Sequence, residues 1–139
     1  MSHISKMELE IKSLADLKQA CQRLGFTFVD NQETYKWYGR WVGDAPLPEG
    51  ITTEELGKCT HAIQISGCSY EIGVVKRGSK YTLLWDSWSA GGLEQKIGKN
   101  AGILKRAYSV ERIKRESMLK RYRFTEQKVE KGVRLVLCR

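Results

Sequence analysis

Apolar and polar positions alternate at the start of the chain. Met7, Leu9 and Ile11 interleave with Lys6, Glu8, Glu10 and Lys12, a period of two that predicts a strand with one buried face. After Ser13 the period lengthens. Leu14, Leu17, Cys21 and Leu24 recur at three- and four-residue steps, so Ser13 reads as the N-cap of a helix and Gly25 as its stop. Phe26, Phe28 and Val29 begin a second strand, broken at Asp30–Asn31. Tyr35 to Val42 reads as an aromatic strand or hairpin arm. Asp44 to Glu55 holds both prolines, Gly50 and little periodicity, which predicts the longest loop.

Further along, His61, Ile63 and Ile65 share one face of a strand. Tyr70, Ile72 and Val74, then Tyr81, Leu83 and Trp85, form the clearest hairpin, turning at Lys76–Arg77–Gly78–Ser79. Leu93 to Ala107 is helical in composition but interrupted by Gly98 and Gly102. Ser109 is the expected cap of a further helix ending near Leu119–Tyr122, with Tyr108 stapled onto Ile113. Phe124, Gln127–Val129, Val133, Leu135 and Leu137 predict a closing hairpin across Glu130–Lys131–Gly132. Helices flanking antiparallel strands, without βαβ repeats, indicate an α+β fold. The expected architecture is one antiparallel sheet with helices on one face, a ferredoxin-like sandwich, formed by residues 1–139 as a single domain.

Charge changes the picture at one place. From Lys99 to Arg123 there are nine basic and two acidic residues, a net +7 against +8 for the whole chain. A folded domain with its charge gathered on one element is expected to meet something acidic there. The candidate contacts are Lys105, Arg106, Arg112, Lys114, Arg115, Lys120, Arg121 and Arg123, with Val110, Ile113 and Ser117 facing inward. A helix laying Lys and Arg along a phosphate backbone would release counterions. The bland alternative is a solvated amphipathic helix. No helix-turn-helix, RNP aromatic pair or Gly-x-x-Gly loop is present.

Tyr35–Lys36–Trp37–Tyr38–Gly39–Arg40–Trp41 interleaves aromatics with cations. Tyr35, Lys36, Trp37, Arg40 and Trp41 could form an interaction patch or stack bases. The competing and favoured reading puts the tryptophan face in the core. Cys59 and His61, with His3 or Cys68, offer an incomplete start to a metal site, since zinc ligands normally come in tighter pairs. A buried thiol and a satisfied histidine are the default, and no metal or cofactor is expected. Asp86, in Trp85–Asp86–Ser87–Trp88, reads mainly as a turn former. An acid–base grouping of Glu71, His61 and Asp86 depends on strand register. Gly91–Gly92 and Gly98–Gly102 lack the spacing of a phosphate-binding loop.

The four cysteines are dispersed without a Cys-x-x-Cys pair, so free thiols are expected. No apolar run approaches the ~20 residues of a membrane span, and Met1 to Lys12 carries charge and no apolar stretch, so neither a secretory signal nor a membrane partner is expected.

Met1–Ser2–His3–Ile4–Ser5, Tyr70–Glu71–Ile72–Gly73, Tyr81–Thr82–Leu83 with Trp85–Asp86, Tyr108–Ser109–Val110–Glu111 and Gly132–Val133–Arg134–Leu135 together resemble one small family. It is the family of the chloroplast conserved reading frame thirty-five, a domain of unknown function found in bacteria, plastids and phages. The resemblance spans nearly the whole chain. It implies a single-domain protein and carries no activity, cofactor or catalytic residue. Where members often have glycine near the end of the last helix, this chain has Arg121. The implied location is the cytoplasm, the plastid stroma if plastid-encoded, or the host cytoplasm if phage-encoded.

These readings converge on a non-enzymatic small basic binding protein whose C-terminal helix engages an acidic partner, most simply a nucleic acid. The alternatives are a protein-interaction or assembly subunit using the Tyr35–Trp41 segment, and a binder of a small phosphorylated ligand.

Overall fold

The computed structural model describes residues 4–7, 11–39, 47–48, 50–88, 91–120, 123–129 and 132–138; between 123 and 138 only the side chains of Glu126, Leu135 and Val136 are described. The elements are β1 (Ile4–Lys6), α1 (Leu14–Leu24), β2 (Thr27–Val29), β3 (His61–Gln64), β4 (Ile72–Arg77), β5 (Lys80–Asp86), α2 (Leu93–Ile97), α3 (Gly102–Leu119), β6 (Arg123–Val129) and β7 (Gly132–Cys138). Five strands form one antiparallel sheet in the order β1-β5-β4-β3-β2, and β6 and β7 form a separate hairpin.

The topology follows from one crossing. The chain leaves β1 at one edge, and α1 carries it to β2 at the other edge. A meander through β3, β4 and β5 then returns beside β1. Four strand spacings amount to ~19 Å. An eleven-residue helix rises ~16 Å, so α1 and its flanking residues suffice for the crossing. Ser13 caps α1 as expected, its Oγ accepting from the Asp16 amide at 3.2 Å, and Gly25 follows the last turn.

The α+β class and the helices on one sheet face are as the sequence indicates. The element order is β-α-β-β-β-β-α-α-β-β, with a four-strand meander where a β-α-β-β-α-β ferredoxin-like sandwich has a second crossover helix.

Strand alternation divides the interior. Ile63, Ile72, Val74, Leu83 and Trp85 meet Leu17, Ala20 and Cys21 of α1, Leu93 and Ile97 of α2, and Leu104, Ala107 and Tyr108 of α3 in one cluster. On the opposite face, Ile4 and Leu84 meet Tyr35, Ile51 and Leu56, with Trp37, Leu47, Cys59 and Val75 partly buried around them. That second face is covered by the long loop, which among the described residues has a single 3-10 turn, Thr53–Glu55, and no α-helix.

Several expected boundaries move. The first strand is Ile4–Lys6, earlier than the alternation at Met7, Leu9 and Ile11 suggests. Met7 and Ile11 are buried and Ile11 makes one bridge to Tyr81, while Leu9 lies outside the described residues. The helix break falls at Gly98 and the short 3-10 turn Lys99–Ala101. From Gly102 the helix runs unbroken to Leu119, so Ser109 lies inside it and caps nothing. Tyr108 is no staple: it is fully buried, and its hydroxyl accepts from the Lys12 and Ser13 amides at 3.1 and 3.3 Å. The core need for Leu104, Ala107 and Tyr108 at i, i+3 and i+4 holds the helix through the serine.

Candidate functional site

The basic element is α3. Leu104, Ala107, Tyr108, Val110 and Ser117 are buried, and Ile113, expected in the core, is half-buried. Ion pairs fix the helix against its neighbours. Arg115 Nε donates to both oxygens of Asp16, at 2.9 and 3.1 Å, and Asp16 is only 2% exposed. Arg23 of α1 donates to Glu111 of α3 at 3.0 Å and to both carboxylate oxygens of Glu126 on β6, one of them through Nη2 at 2.8 Å. These contacts raise the pKa of Arg23, through the Glu126 hydrogen bond above all, and Asp16 raises that of Arg115.

The sequence-predicted cations therefore divide. Arg115, although exposed, is committed to a buried carboxylate. Arg112, half-buried, donates to Glu116 one turn on at 3.2 Å. That exposed i, i+4 pair is worth only about 0.3–0.5 kcal/mol and exchanges readily for another anion. Lys105 is half-buried, and Arg106, Lys114 and Lys120 are exposed. Among the described residues these four have no carboxylate partner. Seven-residue steps bring Lys105 under Arg112 on one line and Arg106, Ile113 and Lys120 onto the neighbouring line. Lys114 lies apart from both, in the groove between α1 and α3. Arg123 is not on the helix: it opens β6, because the chain leaves the helix after Leu119. Arg121 lies outside the described residues.

The aromatic segment departs from the expected strand, and Tyr35 departs from the expected patch. Residues 35–39 form no strand, and the nearest sheet-like contact is a single bridge between Thr34 and Lys58. Tyr35 is 3% exposed and its ring packs on Gly73, where a Cβ would overlap it. That ring is closed to a base, and the core reading applies to Tyr35. Trp37 is half-buried against Gly57, Lys36 is exposed, and Tyr38 meets Trp88 edge-on at 5.4 Å. Arg40 and Trp41 lie outside the described residues.

Cys59 and His61 are engaged separately. The Cys59 thiol donates to the Gln32 carbonyl at 3.0 Å, and burial pushes its pKa up to about 11. His61 Nδ1 accepts from the Asn31 amide at 3.0 Å. The same atom lies 3.9 Å from Asp30, a contact weaker than the hydrogen bond it already makes. His61 packs between Phe28 and Tyr81 on the helix face. His3 lies outside the described residues.

Asp86 is fully buried and accepts from the Tyr38 amide at 3.1 Å and the Trp88 amide at 3.0 Å. Glu71 is 7% exposed and accepts from the Lys36 amide and Gln32 Nε2, both at 3.0 Å. Carrying the β4–β5 register outward from Gly73↔Leu84 puts Glu71 opposite Asp86 on the loop face. His61, paired with Val74, is on the other face. The three therefore do not converge as an acid–base group. The two carboxylates hold the covering loop to the sheet through its backbone amides.

Sequence reasoning missed a polar cleft where β3 and β4 meet, lined by Lys36, Gln64, the turn from Ser66 to Ser69, Tyr70 and Glu71. Lys36 and Glu71 are separated by 35 residues, and no spacing rule connects them. Among the described residues no helix is long and apolar enough to cross a membrane. No protein-family model, no curated protein and no solved structure matches the chain.

Proposed function

We propose that this chain is a non-enzymatic binding protein whose α3 engages an acidic partner, a nucleic acid. The observation that carries this reading is the charge left after internal pairing. Both acidic residues of α3 are taken by arginines, yet Lys105, Arg106, Lys114 and Lys120 keep no carboxylate among the described residues. The contact set narrows with it. Arg115 is withdrawn, because releasing it would strand the buried Asp16. Arg112 stays, because its surface pair with Glu116 is weak. The resemblance to the reading-frame thirty-five family supplies no residue role, and membership in it remains part of this proposal.

The test is titration of nuclease-treated protein against labelled single-stranded DNA, duplex DNA and RNA at two salt concentrations. Four phosphates neutralised predict a log–log salt slope of about −3 to −4. The charge reversals Arg106→Glu and Lys120→Glu together should abolish binding, whereas Trp37→Ala should weaken it little. Absent or salt-insensitive binding overturns the reading.

One observation favours the assembly reading as the second choice. Met118 and Leu119 are 68% and 73% exposed at the end of α3, between Lys114 and Lys120, a mixture suited to an amphipathic protein surface. A partner retained after nuclease treatment and lost with Leu119→Ala would decide for it.

A further inference from the structure

The cleft beside the long loop holds two opposite charges that do not meet. Its volume is about 430 Å³, within the range of small-molecule sites. Glu71 is a buried carboxylate, and burial of such a group is costly unless its oxygens find donors. Both donors it has go to one oxygen: Oε1 accepts from the Lys36 amide and from Gln32 Nε2. Gln32 is itself fixed, donating to the Thr34 carbonyl at 2.7 Å and accepting from Gln64 Nε2 at 3.2 Å. The second oxygen, Oε2, receives no hydrogen bond among the described residues.

Lys36 lines the same cleft with an exposed side chain. It makes no ion pair among the described residues, with Glu71 or any other carboxylate. Its backbone serves Glu71 while its ammonium does not. Ser66 and Ser69 add hydroxyls to the wall, able to donate or accept. Tyr70 supplies a fixed side, its ring packed so closely on Gly91 that a Cβ there would overlap it, and the Ser69 amide donates to the Gly91 carbonyl at 3.0 Å.

A simple anion would be drawn by Lys36 and repelled by Glu71, and a simple cation the reverse. A molecule carrying both charges satisfies both. We infer that this cleft binds a small zwitterion of the α-amino acid class, its ammonium against Glu71 Oε2 and its carboxylate against Lys36. The site is independent of α3, none of whose cations lines it.

The test uses the full chain. Thermal unfolding is followed with each common L-amino acid at about 10 mM, and affinity is then measured calorimetrically for those that raise Tm. Two analogues of the best binder, one lacking the amino group and one lacking the carboxylate, complete the set. At least one amino acid should raise Tm by about 2 °C or more. Each analogue should bind at least ~10-fold more weakly, and so should the amino acid with Glu71→Gln or Lys36→Gln. Lys36→Gln alters only an exposed side chain, so it decides the matter even if Glu71→Gln fails to fold. The proposal is overturned if no amino acid raises Tm, if either analogue binds as well as the zwitterion, or if Lys36→Gln binds with unchanged affinity.

Discussion

The two faces of the five-stranded sheet are closed by different chemistry. The helix face is covered by elements that satisfy their own backbones, and the buried hydroxyl of Tyr108 accepts two amides at the start of α1. The loop face is covered by a segment whose described residues form no strand or α-helix, and their backbone amides need acceptors. Glu71 and Asp86 supply them, for Lys36 and Tyr38. Tyr35 fills the centre of that face, but its hydroxyl finds no hydrogen bond among the described residues. An apolar surface alone can seat a helix, whereas an irregular cover has to be fastened by buried polar groups. Those polar groups leave a cleft at their margin.

The difference is open to direct attack. The largest effect is expected on the helix face. Ile63→Ala, at a fully buried position, should cost about 3–4 kcal/mol of unfolding free energy, and Leu56→Ala on the loop face about half that, because the smaller cluster collapses more easily. Equal costs by denaturant titration would erase the distinction. Next in size is Gly73→Ala, which drives a methyl into the Tyr35 ring and should cost about 2 kcal/mol. In a double-mutant cycle with Tyr35→Ala, a coupling of about 1 kcal/mol or more should appear, and none would mean that the ring does not rest there.

The smallest effect is Tyr35→Phe, which removes an unsatisfied buried hydroxyl and should be neutral or stabilising by up to ~1 kcal/mol near pH 8. Burial pushes the Tyr35 phenol from 10.0 up to about 12, the Cys59 thiol from 9.0 up to about 11, and Cys21, on the helix face, up to about 12. Each group keeps its proton in the fold at a pH where the unfolded chain has lost it. Stability is therefore full below about pH 9 and falls as pH rises toward these values. Tm should drop between about pH 8 and about pH 10.5, and less steeply in Tyr35→Phe, which removes that residue's share while the two thiols remain. An unchanged slope would show that the phenol does not titrate late.

How much could be read in advance follows the same divide. Period and capping identified α1 from Ser13 to Gly25, and alternation identified the β4–β5 hairpin, because neighbours along the chain determine both. Ser109 misleads because it is a good cap residue locally, while the burial of Tyr108 and Val110 continues the helix through it. The basic stretch is visible as composition, but which cations remain unpaired depends on Asp16, nearly a hundred residues from Arg115. Tyr35 carries the same aromatic signal whether it faces solvent or core. Its place was decided by Gly73, a small residue on a strand it reaches only after folding.

By itself, then, the sequence determined the α+β class, the capped first helix, the β4–β5 hairpin and the concentration of positive charge, since these depend on periodicity and composition over a few turns or strands. Tertiary structure alone decided the strand order, the partners of Arg23 and Arg115, the burial of Tyr35 and the hydrogen bond from the Lys36 amide to Glu71. Each of these depends on distant segments brought together, where register and packing choose contacts that no local pattern encodes.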